Sequence, residues 1–262
     1  MKKIGTIIRT ILYRSLSFEN YLYVLSKAYF FTFNTGLLKL SKSFEYPYFL
    51  KQIIHPGELV IDIGANLGYL TVWFSKLVGK QGQVHSVEPV APVRQVLQKN
   101  TKRLNNVRIY PFALGNENKR IQLGNNTRIK KGYVGSGSHF VIDKPSQAAD
   151  ETDIVSEAEM RRGSELFAEL NRIDFIKCDI EGFETVVLPE MEPLINRFQP
   201  TLLVESGGEK RREMLDFFNA RNYKAVILLN GKLRPATEHE SRDIFFFHAD
   251  KLDKLAGQYI QL

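Results

Sequence analysis

From Gly57 onward, short runs of β-branched and apolar residues alternate with amphipathic stretches, so the hydrophobic period switches between two and about 3.6 residues. The runs predict strands over 59–63, 83–87, 107–111, 174–178 and 201–204. The amphipathic stretches predict helices over 70–78, 91–104, 184–197 and 210–221. Strands alternating with helices pack as an α/β Rossmann-like, doubly wound, mostly parallel sheet. Residues 225–229 and 243–248 read as a closing pair of strands around Asn230-Gly231, a dipeptide suited to a tight hairpin. A short extra strand is expected at 121–123. The polar, glycine- and serine-containing stretch 124–153 is weakly patterned and reads as an active-site loop or lid.

Residues 1–50 follow a different pattern and are expected to form a basic, apolar helical extension in front of a catalytic domain over 51–262. The segment from Tyr21 to Leu40 is rich in Leu, Phe and Tyr, but Lys27, Asn34, Gly36 and several Ser and Thr interrupt it. A spanning helix needs roughly 20 largely apolar residues, which this segment lacks. No small-residue cleavage site follows an apolar core, so a cleaved signal peptide is not expected either. Two readings stay open: an interfacial helix on anionic lipid, giving peripheral membrane contact through residues 1–43, or helices packed on the catalytic domain or on a second subunit.

Charge sharpens the division. The chain carries a formal +7, and residues 1–43 hold seven basic side chains against Glu19 alone, so the remainder is nearly neutral. A nucleic-acid partner is therefore not expected, because no basic stripe runs across the folded body. The single cysteine, Cys178, excludes an internal disulfide and a multi-cysteine zinc site. A cytoplasmic location, possible at the inner membrane face through the extension, is the default.

The most informative stretch is Val60-Ile61-Asp62-Ile63-Gly64-Ala65-Asn66-Leu67-Gly68, a buried strand running into a glycine turn and then a helix. Ligands of open α/β sheets bind at the carboxyl ends of such strands. The Gly-x-x-x-Gly spacing differs from the Gly-x-Gly-x-x-Gly of dinucleotide sites, and Asp62 before the first glycine suits a cationic ligand better than a pyrophosphate. S-adenosyl-L-methionine is cationic and carries no phosphate. Glu88, directly after the second strand, is positioned to accept hydrogen bonds from both ribose hydroxyls. Asp62, Gly64, Asn66, Gly68 and Glu88 are thus candidate cofactor residues. The structural alternative is that both glycines serve packing alone and Glu88 is a solvated strand-end charge.

Two separated blocks, Asp62 to Gly68 with Ser86-Val87-Glu88-Pro89, and Asp174-Phe175-Ile176-Lys177-Cys178-Asp179-Ile180-Glu181-Gly182, make the stretch from Gly57 to Ser206 resemble the FkbM family of methyltransferases. The resemblance implies a class I methyltransferase fold, S-adenosylmethionine as methyl donor, and methylation of a hydroxyl on a saccharide or other natural product. It also implies that Ala113, in Ala113-Leu114-Gly115, lies near the adenine. The extension falls outside the resemblance.

Methyl transfer from a sulfonium needs alignment, worth about 7–11 kcal/mol in favourable cases. An alcohol acceptor also needs a proton acceptor, worth roughly 10²–10⁴-fold. Asp179 is the first choice of base, since it leaves the strand at the switch point, and it also counts as a cofactor neighbour. Glu181 is the second candidate, or else a helix cap, and Glu205 a weaker one. These three carboxylates are weighed as a cation site, but two on one short turn are thin support, and no metal is expected. In the long loop, Ser138 is a candidate cofactor contact and His139 a candidate catalytic group. Lys177 is read as a strand residue with its head at the surface, and Tyr69 and Trp73 as packing residues. The small-molecule or saccharide acceptor is an expectation, with N-methylation and a non-catalytic adenosylmethionine-binding module as alternatives.

Overall fold

The computed structural model describes residues 2–41, 44–125, 137, 139–142, 154–238 and 241–252. Three helices precede the sheet: α1 (Lys2–Ser15), α2 (Phe18–Asn34) and α3 (Glu45–Phe49). Then come β1 (Leu59–Ile63), α4 (Tyr69–Val78), β2 (Gln83–Val87), α5 (Ala91–Thr101) and β3 (Val107–Tyr110). The next block is β4 (Phe112–Gly115), β5 (Lys119–Asn125), β6 (His139–Val141), β7 (Ile154–Arg162) and α6 (Gly163–Leu166). The chain continues through β8 (Phe175–Cys178), α7 (Glu184–Glu190), α8 (Glu192–Phe198), β9 (Thr201–Glu205) and α9 (Gly208–Asn219). It closes with β10 (Tyr223–Leu229), β11 (Lys232–Pro235) and β12 (Asp243–His248).

The main sheet has the order β11-β10-β12-β9-β8-β1-β2-β3. From β3 to β9 every pairing is parallel, and β12 inserts antiparallel between β9 and β10. Strand order reverses between β1 and β8, the switch point at which such sheets open a crevice. Both faces are covered, which explains why β1 is buried at every position. One face presents Ile61, Ile63, Ile176 and Cys178 to Val187 of α7, Ile195 of α8 and Phe218 of α9. The other presents Val60, Val84 and Phe175 to Phe74 of α4 and to Phe49 and Leu50.

Three expectations are corrected. Asn230 and Gly231, both at positive φ, do form a tight turn, but it joins β10 to β11, with Leu229 opposite Lys232. Residues 243–248 instead return to pair β10 on its other edge and β9 beyond it. The helix expected over 184–197 is two helices, because Pro193 at the start of α8 cannot donate to the preceding turn and clashes with it. Finally, β4, β7, β5 and β6 form a second sheet in that order. Its strand β7 has the alternation Ser156, Ala158, Met160 against Glu157, Glu159, Arg161, a period-two signal that the sequence reading passed over.

The extension is docked on the catalytic domain. Ser17 caps α2 by accepting from the Asn20 N–H, and α2 then lies across α4 and α5. Its Tyr21 and Leu22 are fully buried against Val93 and Val96. Lys27 donates to Asn100 Oδ1 at 3.0 Å. Tyr69 lies with its ring centroid 4.1 Å from that of Tyr29, and Trp73 donates to the Pro47 carbonyl at 2.8 Å while meeting Phe33 edge-on. No helix among the described residues is long and apolar enough to cross a membrane.

Candidate active site

Gly64 turns the chain out of β1 at φ +74°, and a Cβ there would lie 2.0 Å from the Asp179 carbonyl oxygen. Gly68 takes φ +87° at the start of α4, where a Cβ would meet Leu97 Cδ1 at 2.7 Å. Close approach of backbone thus requires glycine at 64, while at 68 the positive φ is what favours it. Gly64 also lines the crevice, whereas the space of the Gly68 side chain belongs to the α4–α5 contact.

A cavity of about 130 Å³ opens beside this turn. Glu88 stands in its wall, 6 % exposed, and each of its carboxylate oxygens accepts one backbone N–H: Asn66 on Oε2 and Val90 on Oε1, both at 2.9 Å. Burial pushes the Glu88 carboxyl up to about 7 against those two hydrogen bonds, which favour its charged form. A carboxylate has about four lone-pair sites, so two remain for a ligand diol. Val90, Ala113, Leu123 and Phe183 supply apolar walls. Glu88, Asp179 and Glu181 line the cavity, and among the described residues no lysine or arginine does. That donor set fits a cation with a hydroxylated sugar and does not fit a pyrophosphate.

At the switch point the parallel register sets Asp62 beside both Ser86 and Lys177. Ser86 donates to Thr71 Oγ1 at 3.1 Å, and Thr71 donates to Asp62 Oδ2 at 2.6 Å. Asp62 is fully buried, and its Oδ1 has no hydrogen-bond partner, the nearest charge being Lys177 Nζ at 3.8 Å. Lys177 is not a surface residue: its side chain is 6 % exposed and donates to the carbonyls of Gly64 at 2.8 Å and Ile63 at 3.2 Å. The parallel neighbours decide this, because Lys177 continues the buried face of Phe175, and only the adjacent carboxylates and carbonyls make its burial tolerable. Burial opposes the Lys177 charge, but Asp179 and Asp62 outweigh it and hold the ammonium above its ordinary pKa.

Asp179 follows β8 at the sheet's carboxyl edge, with Oδ2 3.4 Å from Lys177 Nζ. Burial opposes its charge too, yet the Lys177 charge and hydrogen bonds from Glu205 and Lys177 leave it below the ordinary value. Its hydrogen-bond partner Glu205 is pushed the other way, up to about 8, first by that bond, then by burial and the charges of Asp179, Glu181 and Asp243. The two shifts run in opposite directions, so the shared environment favours charge on Asp179 and the proton on Glu205. Asp243, opposite Glu205 in the β9–β12 register, is raised to about 6 by burial and by Asp179.

The turn after Asp179 is held by a residue that sequence reasoning passed over. Glu184 accepts the N–H groups of Ile180 at 2.8 Å and Gly182 at 3.3 Å, while Glu181 itself takes φ +57° and is exposed. The helix-end role considered for Glu181 is thus filled by Glu184, three residues on. The cavity brings together Gly64, Asn66, Glu88, Ala113, Asp179 and Glu181. Asp62 lies behind the turn, on a second and larger cavity that shares Gly64, Asn66 and Asp179 with the first. Tyr46 of α3 lines that second cavity as well, its phenol raised well above ordinary by burial and by Asp243 and Asp179. The backbone of His139 lies in β6, paired through Asn125, but Ser138 is outside the described residues.

Among solved structures, the chain is similar to methyltransferase FkbM from Methylobacillus flagellatus, at 16% identity and a TM-score of 0.48, over 77% of this chain and 50% of that one. The chain thus spans half the length of that relative. It is also similar to fibrillarin from Aeropyrum pernix, solved with natively bound S-adenosyl-L-methionine, at 10% identity and a TM-score of 0.42, over 74% of this chain and 67% of that one. A third is precorrin-6y C5,15-methyltransferase from Geobacter metallireducens, at 12% identity and a TM-score of 0.42, over 76% and 83% of the two chains. No curated protein matches the sequence. Residues 62–225, from the last turn of β1 through the site into β10, match the model of the FkbM methyltransferase domain. This match covers more than half of the chain and includes Asp62, Glu88, Lys177, Asp179 and Glu205, so the protein belongs to the FkbM methyltransferase family.

Proposed function

We propose that the protein is an S-adenosylmethionine-dependent O-methyltransferase whose acceptor is a hydroxyl on a glycan, a lipid-linked saccharide or a related natural product. The observation that carries this reading is Asp179: a carboxylate 3.4 Å from the Lys177 ammonium and hydrogen-bonded to Glu205, at the boundary shared by two cavities. Family membership and the carboxylate lining of the first cavity, which suits a cationic ligand without phosphate, support the donor.

Glu88 would hold the ribose hydroxyls, Val90, Ala113 and Phe183 would enclose the base, and Asp62 Oδ1 offers an unfilled acceptor for an ammonium. When bound, S-adenosylmethionine supplies an electrophilic methyl group and a neutral thioether leaving group. The rest falls to this chain. Asp179 accepts the acceptor's hydroxyl proton, and Glu205, whose carboxyl is raised by its bond to Asp179, donates to it. Lys177 fixes the orientation of Asp179 from below, and Gly64 lets the Asp179 backbone approach the turn. Positioning supplies about 7–11 kcal/mol and base assistance roughly 10²–10⁴-fold. The exposed Ile7, Ile8 and Ile11 of α1, among the basic residues of the extension, support its contact with an anionic membrane face.

Titration calorimetry with S-adenosylmethionine, S-adenosylhomocysteine and NAD tests the donor. Adenosyl binding that Glu88→Ala weakens supports the reading; preference for NAD or no adenosyl binding overturns it. Asp179→Asn separates O- from N-methylation, since an amine acceptor entering as the free base needs less proton removal and would tolerate the change.

A further inference from the structure

The second cavity measures about 680 Å³ and is roofed by the extension. We propose that it receives the apolar body of the methyl acceptor, so that the substrate is an amphipathic alcohol whose reactive hydroxyl lies close to a lipid-like chain. The proposal deepens the reading of Asp179 as the proton acceptor and rests on it.

Ligand pockets usually measure about 300–1,000 Å³, and this one lies well within that range. A single polar ring would leave most of it as water against apolar walls. Polarity is segregated within it. The ionic groups Asp62, Lys177 and Asp179 lie together on the floor formed by β1 and β8, whereas Leu12, Leu25, Ala28, Leu38 and Phe44 form walls from the extension. An amphipathic molecule entering with its hydroxyl foremost matches that gradient.

The rim points to the same chemistry. Ile8 and Val24 line the cavity and are nevertheless 53 % and 40 % exposed, and Ile7 and Ile11 beside them are exposed to 58 % and 57 %. Apolar surface thus runs from the outside of α1 and α2 into the cavity, where Arg9, Tyr29 and Thr32 stand among the mostly apolar side chains of the wall. The extension, which the family match does not include, then acts as the specificity element.

Decyl β-glucoside, kept below micellar concentration, and glucose are the probes, titrated calorimetrically into the full chain alongside S-adenosylhomocysteine. Decyl β-glucoside is expected to bind and glucose to show no measurable heat. Ala28→Trp, which fills the cavity from α2, is expected to weaken decyl β-glucoside by about tenfold or more and to leave S-adenosylhomocysteine within about twofold. Leu12→Trp fills it from α1 and serves where Ala28→Trp does not fold. Leu40→Ser, at an 88 % exposed position outside the cavity, is expected to change neither affinity. Equal binding of the two probes, or decyl β-glucoside affinity that the filled variants leave unchanged, overturns the proposal. Loss in Leu40→Ser alone would assign the binding to the outer surface and overturn it equally. Failure of S-adenosylhomocysteine to bind the unaltered chain would sink the donor reading instead, while the decyl β-glucoside arm still decides the cavity.

Discussion

The ammonium of Lys177 lies 3.4 Å from the carboxylate of Asp179 and 3.8 Å from that of Asp62, so one buried cation serves two carboxylates on either side of the β1–β8 junction. Removing that cation leaves Asp62 as an uncompensated buried charge. Lys177→Met is expected to destabilise the fold by roughly 3–5 kcal/mol, read as a lowered urea midpoint. Asp62→Asn combined with Lys177→Met should recover part of this loss. Simple addition of the two single-variant losses would mean that the pair is not coupled.

Asp179→Asn should lower turnover with a hydroxyl acceptor by roughly 10²–10⁴-fold while S-adenosylhomocysteine affinity stays close to that of the unaltered chain. Initial rates of S-adenosylhomocysteine production, together with calorimetry, check it. A parallel loss of affinity would make Asp179 a donor-binding residue instead.

Glu88, raised to about 7 by burial, should become fully ionised when ribose hydroxyls donate to it. The ligand then favours the deprotonated form, so donor binding near neutral pH releases a proton, and affinity increases as pH rises through about 7. Calorimetry in buffers of different ionisation enthalpy measures the proton count. The release should vanish well above that pH and in Glu88→Gln.

For Glu205 the folded pKa of about 8 lies above the ordinary glutamate value, so the folded state binds more protons than the unfolded one between them. Its contribution is full in acid and is lost as pH rises through about 8, which predicts a fall in melting temperature across that interval. Glu205→Gln keeps a donor toward Asp179 at every pH and should flatten the dependence. Asp243, raised to about 6, contributes with the same sign at the lower end.

Gly64→Ala meets a backbone oxygen at 2.0 Å and a positive φ together, and neither can relax cheaply. A loss of about 3 kcal/mol or more is expected in chemical denaturation. In Gly68→Ala the neighbour is the flexible end of Leu97, so the loss should be smaller, about 1–2 kcal/mol from backbone strain. Equal losses would contradict the packing account of Gly64.

The alternation of apolar runs and helical stretches was enough to place β1, β2, β8 and β9 and the crevice at their carboxyl ends, because a parallel strand buried on both faces leaves an unbroken apolar run whatever surrounds it. Glu88 and Asp179 were legible for a related reason: a carboxylate directly after such a run has no place to go but the sheet edge. Pairing between distant segments carried no such local mark. Which partner the Asn230-Gly231 turn serves, and the insertion of β12 beside β9, depend on contacts made across tens of residues. The fate of Lys177 turns on the register of β8 against β1, which sets Asp62 beside it and makes a buried ammonium affordable. The role of the extension likewise emerges only once Tyr29 and Tyr69 meet, since a helix with apolar residues all round looks the same from its own sequence whether it faces lipid, protein or a cavity.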